Sequence, residues 1–346
     1  MSDLIKSKDI VIVDSFEDVD PVRWENFVIN HPGGNVFQLP QFYQVYKQSD
    51  LFDPVILIAK NEKEILGVLL AYVRKEFSSR LGDLTTRAIA IGGPLIKDND
   101  GEVLKLILDR YNEIVGKKAI YSQLRNLFCF EKQKELFNNE GFIFDDHLDI
   151  HVDLTIPQEE LWSKVNSKAR NRYRCAAKKG TIFAIEDGED ALKECYNILK
   201  EVYARIKLPL PAFDYFLNLY KIFNSDKAKF IIFTAKYEGK IIGCLLALSF
   251  KDTIYGLYNG AHTEYYDKEP NSLLPWEIFL YGKSKGFKKF DWMGAGKPGI
   301  PYSVRDYKLK FGGELVNLGR FENVHDQFRY NIGKVGLKIY KGVKYS

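Results

Sequence analysis

Methionine is nearly missing from this chain, at two in 346 residues, and cysteine is sparse, at four. Cys129, Cys175, Cys195 and Cys244 lie far apart and form no CxxC pair, which excludes a disulfide framework or a thiol metal knot and fits reduced thiols in a cytoplasmic setting. No apolar run approaches the ~18 residues of a membrane-spanning helix, and the N-terminus lacks the apolar segment and small-residue cleavage site of a secretory signal. Histidine is scattered. His147 and His151 stand four apart, but the run around them alternates as a strand does, so a structural pair is expected rather than a metal site. A net charge of +4 permits an anionic partner without demanding one.

The chain has ample material for real cores: 46% hydrophobic residues, with 24 Phe and 21 Tyr. Its length suggests about two domains of roughly 150 residues each. An internal repeat supports that division. Ala59–Ala71 aligns with Ala235–Ala247 at an offset of 176, sharing Ala, Lys, Glu, Ile, Gly, Leu, Leu and Ala around a hairpin. Solenoid periods are 20–50 residues; this one is domain-sized. Each half continues with a strand, a helix and a further strand: Glu102–Val115 then Ala119–Arg125 in the first, Ser272–Ser284 then Lys288–Trp292 in the second. The expected architecture is α/β: two copies of one unit, each a mostly antiparallel sheet flanked by helices. Domains are expected at 1–153 and 154–325, with a basic tail at 326–346.

Between the copies, Pro157–Lys179 reads as one strong helix. Trp162, Val165, Ala169, Tyr173 and Ala176 share one face, and Arg170, Arg174 and Lys178 the opposite one. No acidic residue occurs from Trp162 to Gly180, whereas a solvated helix face usually interleaves Glu with Lys. Such a stripe suits phosphate or nucleic acid. A second candidate segment is Phe290–Glu314, where a short strand ends in Asp291, a loop carries Gly294, Gly296 and Gly299, and Lys308 and Lys310 lead into Phe311. Glycines let backbone approach a ligand, and a lysine beside them can meet a carboxylate, a phosphate or an oxyanion. The tail carries Lys334, Lys338, Lys341 and Lys344 among apolar residues. It reads as a surface tail that could rest on an anionic membrane.

These stretches resemble the FemABX-type peptidyltransferases of the GNAT (N-acetyltransferase-like) superfamily. Lys168–Gly180 is similar to the family's arginine helix. Pro270-Asn271 through Trp276, Gly286 through Asp291, and Tyr307-Lys308 through Phe311-Gly312 follow its P-N-x-L-L-x-W…F-D…F-K-x-x-F-G order. The resemblance implies two tandem GNAT-like domains and transfer of an acyl or aminoacyl group to an amine of a peptidoglycan-type precursor. It implies Lys308 as a catalytic or acceptor-binding lysine. By its own chemistry Asp291 can accept a proton, with a structural strand-end aspartate as the alternative. The resemblance implies Arg170, Arg174, Tyr258, Asn271, Trp276, Phe311 and, in the first half, Gln38 as substrate-binding. The donor would be aminoacyl-tRNA, or acyl-CoA or an acyl carrier, and the acceptor an anionic envelope precursor; no cofactor or metal is implied. The chain departs from the family at Phe42, which replaces a Trp, at Lys47, about one residue out of register, and in lacking a long two-helix arm. It also lacks the [RQ]-x-x-G-x-[GA] pyrophosphate loop of acetyl-CoA-dependent relatives. Two alternatives stay open: an N-acyltransferase of polysaccharide or glycolipid synthesis using acyl-CoA or an acyl carrier, and a non-catalytic GNAT-like binding scaffold.

Overall fold

The computed structural model describes residues 10–74 and 86–333. It divides into two compact units, 1–145 with 318–346, and 146–317.

In the first unit, the hairpin of Phe52–Lys60 and Ile65–Arg74 anchors a sheet in which Val11–Val13, Phe52–Lys60, Ile65–Arg74, Arg87–Ile91, Tyr121–Arg125, Arg320–Val324 and Ile143–Asp145 lie side by side; Leu95–Ile96 also pairs with 65–74. Among the described residues of this unit only 87–91 and 121–125 run parallel, connected through the helix Gly101–Val115. That helix begins at Asp100, whose carboxylate accepts from the amides of Glu102 and Val103. It buries Val103, Leu104, Ile107, Leu108 and Tyr111 against one face of the sheet.

The second unit repeats the plan. Its sheet runs Glu314–Asn317, Leu148–Asp153, Lys289–Asp291, Thr253–Ala261, Lys240–Phe250, Ala228–Tyr237, Ile182–Glu186. The repeat seen in the sequence extends to a matching irregularity: the register slips between Ala59 and Lys60 in one hairpin and between Ala235 and Lys236 in the other. Lys240–Phe250 is buried almost end to end because helices cover both faces. Leu245, Ala247 and Ile254 join the core beneath the helix Pro270–Ser284. Cys244 points the opposite way, its thiol against the Cys195 carbonyl of the helix Glu189–Arg205.

Three expectations shift. The strand Leu148–Asp153, expected to close the first domain, pairs with 289–291 and 314–317 in the second sheet. Conversely Arg320–Val324, expected in the second domain, pairs with 121–125 and 143–145 in the first. The chain leaves its first sheet after Asp145 and returns to it after Asn317, which alternation within a strand cannot reveal, since alternation specifies a buried face and not a partner. The single helix expected over 157–179 is two, Gln158–Lys164 and Ser167–Lys178. Val165 is extended between them, and the Asn166 side chain caps the second by accepting from the Lys168 amide. The tail lysines 334–344 lie outside the described residues, and no helix among the described residues is long and apolar enough to cross a membrane.

Gln38 illustrates what holds the first unit together. It is fully buried. Its Nε2 donates to the carbonyls of Leu70 and Ile91, at 3.0 and 2.8 Å, and its Oε1 accepts from the Leu70 amide at 2.8 Å. Every polar atom of the side chain is used by backbone, so a substrate contact would require breaking one of these bonds. Its substitution by Ala leaves three buried backbone groups unpaired, at roughly 1–3 kcal/mol each before relaxation. Gln38→Ala should therefore lower unfolding free energy by about 2–4 kcal/mol, read as a fall in the urea midpoint at unchanged m-value; a loss below about 0.5 kcal/mol would contradict this role.

Candidate functional site

The second unit's single parallel pair is short. Thr253, Ile254 and Tyr255 face Lys289, Phe290 and Asp291 in register, and pairing stops there. Thr253–Ala261 continues for six residues beyond this point, bonded only to Lys240–Phe250 on its other side. A bulge opposite Leu246 and Ala247 turns it further. The carboxyl ends of the two parallel strands thus separate. In α/β sheets this is where ligands enter, because backbone groups there lack a strand partner. On the long strand, Tyr258 is half-buried with its ring 4.8 Å from Phe216 and 6.0 Å from Tyr203.

Asp291 closes the short strand and is completely buried. Phe290 and Trp292 turn into the core, so alternation sends Asp291 to the opposite face, where Asp149 and His151 of the neighbouring strand stand. His151 Nε2 lies 3.2 Å from Asp291 Oδ2 and 4.0 Å from Asp149 Oδ2. The 3.2 Å approach lies off the line of a well-directed hydrogen bond. The other Asp291 oxygen accepts from the Met293 amide at 2.9 Å, and Lys289 Nζ approaches Oδ2 at 3.6 Å. Burial by itself would raise the Asp291 carboxyl; His151, Lys289 and the Met293 amide overcome it and hold the group below the usual carboxylate range. Asp149 has the opposite balance. Burial, then the negative charge of Asp291, push it up to about 7.

Lys308, on the short helix Ser303–Leu309, reaches this loop from the side. Its buried ammonium donates to three successive carbonyls, Trp292 at 2.8 Å, Met293 at 2.6 Å and Gly294 at 2.8 Å. Burial lowers its pKa to about 8, against the pull of Asp149 and Asp291. The sequence suggests this lysine as a clamp for acceptor or oxyanion. In the structure all three of its protons are spent on backbone, which makes it the anchor of the loop that follows Asp291. Met293 and Gly294 both sit at positive φ, a conformation that needs such an anchor when the residue is methionine.

Asp149, His151 and Asp291 each offer one ligand atom, all within 4.8 Å of one another. The positive charge facing them already comes from Lys308 and Lys289, so the group reads as an acid–base network rather than a metal centre. Sequence reasoning singled out Asp291 and Lys308 but not Asp149, and took His151 as structural. The usable signal was HLDIHVD, an alternating strand that places Asp149 and His151 on one face.

The remaining expected residues divide. Trp276 and Phe311 are core, and Trp276 packs 4.5 Å from Trp162. Asn271 is half-buried, and its carbonyl accepts from the Tyr307 hydroxyl at 2.8 Å. Arg170 donates to the carbonyls of Trp162 and Ser163, closing the end of the preceding helix. Arg174 is exposed, bonded to Asn171 and lying 5.6 Å over the Trp162 ring. The arginine helix is therefore partly committed to holding the helical break.

With this geometry in place, residues 163–309 match the acetyltransferase (GNAT) domain family. FemX is similar in structure over 91% of this chain and 98% of its own, with a TM-score of 0.70 and 17% identity. The C-terminal domain of a putative lysylphosphatidylglycerol synthetase from Agrobacterium fabrum is similar over 92% and 95%, at 0.56 and 13%. A tandem GNAT protein from the clavulanic acid biosynthesis pathway is similar over 92% and 99%, at 0.58 and 7%. No curated protein matches the chain in sequence.

Two outcomes follow from the buried charges. The folded state keeps a proton on Asp149 up to about pH 7, whereas the unfolded chain releases it near 3.8. The folded state binds more protons in that window, so this group's contribution to stability is present below about pH 4 and is lost as pH rises to 7. Asp149→Asn should remove that decline, so that its unfolding free energy gains on the wild type between those limits and runs parallel above them; curves parallel throughout would refute the assignment. Lys308→Met should free the three carbonyls, lowering Tm and speeding amide exchange in residues 292–296 before the rest of the unit. Unchanged exchange there would show that the loop does not depend on the lysine.

Proposed function

We propose that this tandem GNAT-fold acyltransferase moves an acyl or aminoacyl group from an activated ester or thioester onto an amine of an anionic cell-envelope precursor of the peptidoglycan type. The observation carrying this reading is the His151–Asp291 pair standing at the carboxyl end of the strand where the parallel pair parts. An amine attacks only when neutral. His151, the most exposed member of the network, takes its proton, and Asp291 stabilises the imidazolium that forms. The nitrogen adds to the donor carbonyl, giving a tetrahedral oxyanion. Collapse breaks the bond to the alcohol or thiol, which leaves with the proton returned from His151. Asp149, close to half-protonated near neutral pH, moderates the negative charge around the pair. Lys308 positions the loop. An activated donor removes the need for a covalent enzyme intermediate, so placement and electrostatics suffice.

The motif resemblance to FemABX-type transferases, with FemX similar in fold, favours the envelope acceptor and an aminoacyl-tRNA donor in a cytoplasmic setting. A second reading, N-acyl transfer from acyl-CoA or an acyl carrier in polysaccharide or glycolipid synthesis, is favoured by the GNAT domain match and the parted parallel strands. The Agrobacterium protein, a putative lysylphosphatidylglycerol synthetase, adds a lipid headgroup as an acceptor to test.

The test is a thermal-shift and transfer assay with UDP-N-acetylmuramyl-pentapeptide, phosphatidylglycerol vesicles, acyl-CoAs and charged tRNA. The expected result is stabilisation by the muropeptide and transfer to its amine. His151→Ala should retain the shift while turnover falls about 10²–10⁴-fold. A shift and product with acyl-CoA alone would select the second reading, and full activity of His151→Ala would remove the proposed base.

A further inference from the structure

The loop beyond Gly294 carries an apolar tip that the transfer reaction does not use. Every residue of 297–304 is exposed. Ile300, Tyr302 and Val304 show 58%, 40% and 39% of their surfaces, and Pro298 and Pro301 stand on either side of Ile300. Apolar residues scattered singly over a surface need no explanation, whereas a contiguous exposed run does.

The tip is held in shape and asks little of water. Arg305, on the helix Ser303–Leu309, donates through Nη1 to the carbonyls of Ala295 and Lys297, at 3.3 and 2.8 Å, and through Nη2 to that of Ile300 at 2.5 Å. The Tyr302 carbonyl accepts from the Asp306 amide at 3.2 Å. The Tyr302 ring folds back over Gly296, at φ +76°, where a Cβ would come within 2.9 Å of it. Pro298 and Pro301 have no N–H to satisfy. The carbonyls of Lys297, Ile300 and Tyr302 thus have partners within the chain, and two of the loop's amides donate nothing. An irregular loop ordinarily turns such groups to water. Meeting them internally suits a tip that enters a medium without water.

Charge selects the partner. Across 292–313 there are four basic residues, Lys297, Arg305, Lys308 and Lys310, against one acid, Asp306, and Lys297 and Lys310 are exposed. The Lys310 carbonyl accepts from the Asn166 amide at 2.8 Å. That bond sets the basic end of the segment beside the start of the acid-free helix Ser167–Lys178, where Lys168 is exposed. A basic rim around an apolar tip with a tyrosine matches the interface of an anionic bilayer.

We propose that 297–304 is a membrane-docking loop: Ile300 enters the interface of a bilayer containing anionic phospholipid, and Lys297 and Lys310 meet its headgroups. Docking requires no turnover, so its test contains neither donor nor acceptor.

The experiment is flotation of the full chain with vesicles of phosphatidylcholine alone, or mixed with phosphatidic acid, at constant ionic strength, with sedimentation velocity in parallel. Phosphatidic acid has neither an amine nor a glycerol headgroup to accept an acyl group. The wild type should partition onto the mixed vesicles about tenfold or more above phosphatidylcholine alone. Ile300→Asp should lower that partitioning about tenfold at unchanged Tm, and Ile300→Ser, which alters no charge, should lower it in the same direction. Ile182→Asp places the same charge at an exposed isoleucine on the far edge strand of the same sheet, and should partition as the wild type does. The basic C-terminal residues are present in every variant, so a loss confined to the Ile300 variants belongs to the loop. Absence of partitioning, full partitioning by the Ile300 variants, or an equal loss in Ile182→Asp would each overturn the proposal. Self-association without vesicles that Ile300→Asp abolishes would overturn it too, by assigning the tip to a second copy.

Discussion

Three hydrogen bonds from one buried ammonium set the geometry on which the second unit's site depends. Lys308 reaches the carbonyls of Trp292, Met293 and Gly294 just where the strand ending in Asp291 gives out. A buried lysine is costly unless all three protons find acceptors. Here they do, and two nearby carboxylates supply opposite charge. The consequence is a fixed loop, and a fixed loop keeps the Met293 amide on Asp291. Asp291 is then held as a carboxylate, which under the proposed mechanism gives His151 a defined partner. Position, ionisation and chemistry are thus linked through a residue that need not touch substrate.

Much of the fold was legible because the hairpin repeat is strong. Two stretches alike at 59–71 and 235–247 form hairpins with a register slip at the same place. What the sequence does not carry is the sheet each late strand joins. HLDIHVDL alternates, and alternation is blind to partner, so the strand at 148–153 reads as closing the first domain although it pairs in the second sheet, while 320–324, inside the expected second domain, pairs in the first. The helical break at Val165-Asn166 was legible in principle, since Asn followed by Ser-Lys is a capping signal. It was masked by a continuous apolar stripe that includes Val165.

Arginine shows where burial decides meaning. The sequence draws attention to the acid-free helix at 162–180, where arginines are consecutive and easily seen. In space Arg170 caps a helix, Arg174 covers a tryptophan, and Arg172 is exposed, 4.0 Å from Glu269. Arg125 and Arg320, far apart in sequence, stand directly opposite each other only through pairing across adjacent strands, and burial, then the charge of Arg125, lowers the Arg320 pKa to about 10. A charge run in sequence measures local composition; a charge cluster across a sheet measures register, which no linear reading provides.

The two units share a plan but differ at one point with functional weight. In both, a hairpin strand passes to a third strand, a helix, and a parallel fourth strand. In the first unit the parallel pair stays joined through all five residues from Arg87–Tyr121 to Ile91–Arg125, and the Gly92 amide extends it by bonding to the Arg125 carbonyl at 2.8 Å. Its strand ends are sealed. In the second unit the same pair holds for three residues and then parts. Backbone sealed by backbone has no donors or acceptors left for a ligand, whereas parted strands do. Under the proposed reading the acyl-transfer chemistry belongs to the second unit, where the GNAT domain match also falls.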